Sequence, residues 1–141
     1  MNVTSRGFIV FAVKGERYGL PLRVVAEVRE PSRSVPVPRA PEFLCGAMNA
    51  HGRLVAILDL ARLLGCGKTT SPGTFLVLDH SIANLALWVD GVEGFAAEEG
   101  EGSADLPDNG FIAREVQSDR GVLKLLALDN VLKKMEEVFK Q

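Results

Sequence analysis

The 141-residue sequence predicts a mainly β domain built from many short strands. Short apolar runs, such as 8–13, 54–58 and 74–78, are separated by glycine, proline and polar turns. Each run is too short for a helix and the right length for a buried strand. Hydrophobic residues make up 47% of the chain, ample for a core even with one Trp and one Tyr. A chain of this length buries roughly two thirds of its unfolded surface, which suits one domain across 1–141.

Residues 8–13 are the first expected strand, and Lys14, Gly15 and Glu16 turn the chain into 17–20. Beyond Pro21, Leu22, Val24, Ala26 and Val28 alternate with Arg23, Val25, Glu27 and Arg29. If this stretch is extended, the first set faces the core and the second displays Val25 among charges. A helical turn directly after Pro21 would blur that alternation. Segment 31–41 carries four prolines, two arginines and two serines, a stiff irregular connection.

Segment 46–65 reads as a strand, a tight turn, a second strand apolar on both faces and a short capped helix. Asn49 and Gly52 suit the first and fourth places of a type I turn, which carries His51 close to Arg53. Asp59 stands where an N-cap belongs and Gly65 where a C′ glycine belongs. After a flexible loop at 66–73, strands at 74–78 and 85–90 pair, and 92–96 extends the second past Asp90 and Gly91. An acidic, glycine-containing loop fills 98–109. Strands 112–116 and 122–128 are joined by a Ser118, Asp119, Arg120, Gly121 turn. Asp129 can cap a final helix whose Val131, Leu132, Met135, Val138 and Phe139 form one apolar face. The expected inventory is about nine or ten strands and two or three helices.

Charge is uneven, with a balance of +5 over residues 1–68 and −7 over 69–141. The acidic stretch is either a solvated loop or one of two oppositely charged faces for different partners. No dense Lys/Arg stripe with interleaved aromatics supports nucleic-acid binding. No stretch nears the roughly 20 apolar residues of a membrane span, and no apolar segment precedes Gly7 as a signal peptide would. The sequon at Asn2 therefore carries no weight. Cys45 and Cys66 lack a Cys-x-x-Cys pattern or a histidine at metal spacing, so a reducing, cytoplasmic setting is expected.

Three motifs point to chemistry only superficially. Gly65, Cys66, Gly67, Lys68 and Thr69 imitate the tail of a phosphate loop, but Arg62 holds the place of its first glycine. Asp105, Asp108, Asn109 and Gly110 lack the alternate-residue spacing and distal glutamate of a calcium loop. His51 and His80 sit in no catalytic motif. No catalytic, cofactor-binding or metal-ligating residue is assigned.

Phe8 to Phe11, Tyr18 to Leu22 and Val25 to Val28 resemble the opening of the CheW-like coupling proteins of bacterial chemotaxis. The resemblance continues through the prolines of 35–41, the Asn49 to Gly52 turn, Asp59 with Leu60, Val89 to Val92 and Leu125 to Asp129. It implies two small five-stranded SH3-like barrels with a shared apolar core and a C-terminal helix. It also implies a non-enzymatic, cofactor-free adaptor between the cytoplasmic helical tip of a chemoreceptor and the regulatory domain of a CheA-type histidine kinase. Such an adaptor is cytoplasmic, recruited to membrane receptor arrays without inserting in the membrane.

The family positions for receptor contact fall here on Val25, Glu27, Gly46, Asn49, His51 and Gly52, while the kinase-contact residues stay unassigned. The family turn usually reads Asn-Leu-Arg-Gly. Ala50 and His51 replace its middle pair, exchanging a permanent cation for a mostly neutral imidazole. That departure leaves open a CheW-like scaffold module in a non-chemotaxis pathway. An enzyme or ligand-binding barrel is the third reading, and a pocket lined by His51 or His80 would support it. Glu27 and His51 can equally be solvated strand and turn residues, and Gly46 can be small only to relieve crowding in the hairpin.

Overall fold

Several strands are apolar on both faces because each face meets a different core. The computed structural model describes residues 7–99, 104–105 and 110–139. Their order is β1 (Gly7–Val13), β2 (Glu16–Pro21), a 3₁₀ turn (Leu22–Val24), β3 (Val25–Arg29), β4 (Leu44–Ala50), β5 (Arg53–Asp59), α1 (Leu60–Leu63), β6 (Thr74–Leu78), β7 (Leu85–Val89), β8 (Gly91–Ala97), β9 (Ala104–Asp105), β10 (Ile112–Ser118), β11 (Gly121–Leu126) and α2 (Leu128–Phe139). The strands form two sheets, ordered β8-β1-β2-β11-β10-β9 and β3-β6-β7-β5-β4. The expected pair of five-stranded units and C-terminal helix is present, the first unit lengthened by the two-residue β9.

Both sheets curl into SH3-like, incompletely closed barrels. In the first, Glu98 bridges Ser118, and Gln117 O accepts from Glu99 N at 2.8 Å, bringing the end of β8 back to β10. In the second, Val35 and Ala47 exchange backbone bonds of 2.9 and 2.8 Å, so the chain after β3 closes on β4. Phe8, Val10, Ala96, Val116, Leu123 and Leu125 fill the first barrel. Met48, Val55, Ile57, Phe75, Val77 and Ala86 fill the second. Between the barrels lies the largest core, including Ile9, Phe11, Leu20, Leu58, Leu76, Leu87 and Val131. Alternate residues of β1 and β6 thus point into a barrel and into the shared core.

The β3 reading needs correction. The 3₁₀ turn and a bulge between Val25 and Glu27 in the pairing with β6 reverse the expected phase. Val24 is buried and Val25 is half-buried against the shared core, whereas Ala26 and Val28 are exposed. The helix also differs: it starts at Leu128, with Ala127 O accepting from Asn130 N and Val131 N, so Asp129 is its second residue rather than its cap. The strand ends early because Ala127, whose N–H still donates to Phe111 O at 2.7 Å, gives its carbonyl to the helix N–H groups. An acid in the first turn still suits the helix dipole. Val131 and Met135 are buried and Leu132 and Val138 pack on the core, but Phe139 is 59% exposed.

Residues 66–73 are not a free loop. Thr69 is buried, and both its N–H (3.1 Å) and hydroxyl (2.6 Å) donate to Asp59 Oδ1. Asp59 does cap α1, accepting from Arg62 N at 3.4 Å. Gly65 follows at φ +78, and Cys66 N and Gly65 N donate to Ala61 O and Arg62 O in a Schellman ending. The calcium-like Asp108 and Asn109, most of loop 98–109 and the Asn2 sequon lie outside the described residues.

Both thiols are free. Burial, reinforced by the Asp59 carboxylate, pushes the Cys45 thiol up to about 11, while Cys66 is exposed. A maleimide at pH 7.5 is therefore expected to label Cys66 at least ~10-fold faster than Cys45 in the folded protein. Peptide mapping of a time course checks this, and comparable rates would contradict the burial of Cys45.

Candidate protein interface

The β4–β5 hairpin carries most of the candidate residues, and its turn is tighter than the sequence suggested. Ala50 pairs with Arg53 and Asn49 with Leu54, leaving only His51 and Gly52 as the loop. Both loop residues have positive φ, +54 and +80. This is the signature of a type I′ turn, whose twist matches that of the flanking strands, and it replaces the expected type I turn. Histidine is among the non-glycine residues enriched in the left-handed region. Asn49 Oδ1 accepts from Gly52 N at 3.1 Å, so the Asn49–Gly52 relation is real but runs through the side chain.

The curl of the second barrel carries this tip to β3, on the opposite edge of the sheet order. His51 Nε2 lies 2.6 Å from Glu27 Oε2. Arg29 Nη1 stands 3.4 Å from the other Glu27 oxygen. Glu27 is thus half-buried between one permanent cation and one imidazole, while the His51 side chain is 77% exposed. Five candidate residues, Glu27, Asn49, His51, Gly52 and, from within the strand, Val25, are on or beside this seam.

Gly46 serves differently. A Cβ there would lie 2.7 Å from Val35 O and 3.3 Å from Ser34 Oγ. Its smallness lets the β3–β4 connection close the barrel, so the crowding it relieves is at that seam rather than within the hairpin.

Two contributors escaped the sequence reading. Arg29 looked like one charge among several, because its contact with Glu27 depends on the half-buried phase of β3. Leu54 sat in an apolar run yet is 71% exposed, since it shares the outward face of the hairpin with Asn49. Val28 and Val35, also exposed, add apolar area to the same barrel. Val28 therefore takes the place expected of Val25 as an apolar group in water.

Grooves of about 390 and 490 Å³ run beside α2 and under the proline-rich connection. Neither His51 nor His80 is among their lining residues, and the space between the barrels is filled by side chains.

A model of the CheW-like domain family matches residues 7–136. The chemotaxis protein CheW of Rhizobium meliloti (strain 1021) is 25% identical over 139 residues, covering 96% of this chain and 88% of that protein. Protein FrzA of Myxococcus xanthus is 36% identical over 61 residues, 43% of this chain and only 38% of FrzA's length. Among solved structures, the scaffolding protein TtCheW of Thermoanaerobacter tengcongensis superposes with a TM-score of 0.75 at 22% identity, covering 88% of this chain and 85% of that one. With the family model spanning nearly every described strand and both barrels, the chain belongs to the CheW-like domain family.

Proposed function

We propose that this protein is a non-enzymatic chemotaxis adaptor that couples the cytoplasmic helical tip of a chemoreceptor to the regulatory domain of a CheA-type histidine kinase. The observation that carries the reading is the seam where Glu27, Arg29 and His51 meet beside the exposed Val28, within a CheW-like domain. Charge placed around an apolar group in water is the composition of a protein-binding face, and a helical tip suits a helix-in-groove contact. Glu27, His51, Asn49 and Gly52 belong to the receptor face. Val25 and Gly46 support it from beneath. Such an adaptor works by surface complementarity and needs no cofactor. It acts in the cytoplasm at membrane receptor arrays; among the described residues no helix is long and apolar enough to cross a membrane.

Glu27→Lys tests the face. The substitution turns the attraction to Arg29 into a repulsion and removes the carboxylate that faces His51, which at a partly exposed site costs about 1 kcal/mol of stability. Binding to the receptor tip, read by pull-down or calorimetry, is expected to fall ~10-fold or more, because the partner meets a reversed charge at the centre of the face. Unchanged affinity with an intact fold would remove Glu27 from the interface.

His51 also favours a second reading, a CheW-like scaffold module in a non-chemotaxis pathway, since the exposed imidazole replaces the arginine usual at this turn. A pull-down against the co-encoded receptors and kinases, read by mass spectrometry, separates the two. Capture of a kinase without any receptor favours the second.

A further inference from the structure

We propose that the His51–Glu27 contact is a proton-sensitive latch that pins the β4–β5 tip to β3 across the mouth of the second barrel. The backbone fixes where the imidazole sits: His51 and Gly52 are held in the left-handed region and Asn49 Oδ1 ties the loop to its strand. The latch partner belongs to the far edge of the sheet, so making or losing this one bond decides whether the tip is held on one side or two.

Glu27 is the charged group in contact with His51 and is itself paired with Arg29 on β3, while Arg53 follows the loop at the start of β5. Asn49 on β4 adds an uncharged amide. An imidazolium donates to the Glu27 carboxylate as an ion pair. A neutral imidazole offers at most one ordinary hydrogen bond, and only in the tautomer with the proton on Nε2. The contact is stronger with a charged ring than with a neutral one, and histidine is the side chain that changes charge between about pH 5 and 8. An arginine at the same place would hold the carboxylate at every pH in this window.

The inference about binding rests on the reading of this face as the receptor surface. A pinned tip presents Glu27 and His51 in one arrangement, so the receptor-tip peptide binds more tightly at pH 6 than at pH 8. For a contact this exposed the expected difference is roughly two- to five-fold.

The experiment has two arms on the full chain. In the first, amide and imidazole resonances are followed from pH 5.5 to 8. The β3 amides of Glu27 and Val28 are expected to move in step with the His51 ring and with Gly52, and in the E27Q variant to stop following it. β3 amides that stay still while the ring titrates overturn the latch. In the second, affinity for a receptor-tip peptide is measured at pH 6 and pH 8 for the wild type and H51R. A pH dependence that disappears in H51R supports the linkage. Equal affinities for the wild type at both pH values overturn it. A peptide that binds at neither pH refutes the receptor reading, and the first arm then decides the latch on its own.

Discussion

Replacing Asp59 by alanine is expected to destabilise the fold by about 3–5 kcal/mol, lowering Tm by ~10 °C or more. The carboxylate is 1% exposed and accepts from the N–H and hydroxyl of Thr69 and from the N–H of Arg62, with the Arg62 guanidinium 3.5 Å away. Alanine leaves the Thr69 N–H without an acceptor in a place water cannot easily reach, while the Thr69 hydroxyl keeps only the Trp88 carbonyl at 3.1 Å. It also removes the N-cap of α1 and strips Arg62 of one of its two carboxylate partners, the other being Glu42 at 2.7 Å. The losses share one cause and so arrive together. Asn at position 59 keeps an acceptor and is expected to recover about half of the loss. Circular dichroism melts of the two variants check the ordering. A shift under ~2 °C for alanine would mean that the buried donors find other partners.

Replacing Gly46 by valine is expected to cost about 2–3 kcal/mol by overpacking. The nearest obstacle is a backbone carbonyl, Val35 O at 2.7 Å from the new Cβ, which cannot rotate away as a side chain would. The connection must lift, and with it the paired bonds between Val35 and Ala47 that close the second barrel. Urea unfolding measures the cost. Gly46 is buried, so any accompanying loss of receptor binding arises because the barrel seam opens, and it is expected to track the unfolding free energy across Ala, Ser and Val at this position. Full stability with lost binding would instead make position 46 a contact surface.

Most of the strand order was legible because turn chemistry and short apolar runs are local signals. The Asp59 cap and the Gly65 ending were readable for the same reason. What failed was phase and distance. Alternation at Leu22 to Arg29 could not reveal a 3₁₀ turn followed by a bulge, so Val25 and Val28 exchanged roles. The Asn49 to Gly52 spacing fits a four-residue turn and a two-residue loop alike, and only the positive φ of His51 separates them. The Glu27–His51 pair joins residues on opposite edges of a sheet, and no local pattern encodes how far that sheet curls. Likewise the lock between Thr69 and Asp59 is invisible in a glycine-rich stretch that otherwise has the composition of a free loop.

The second barrel is a continuous piece of chain, whereas the first is assembled from segments on either side of it. Those segments join twice, along the antiparallel pairing of β1 with β8 and at the shorter parallel pairing of β2 with β11, where Tyr18 meets Lys124 and Gly19 meets Leu125. Joining ends so distant along the polypeptide carries a large closure entropy unless the intervening chain has already condensed. Assembly is therefore expected to run from the inside outward, with the β2–β11 zipper, two residue pairs against six for β1–β8, the last to engage and the first to let go. Native-state deuterium uptake should mark that zipper as the weakest link of the backbone, ahead of any strand in the inserted barrel.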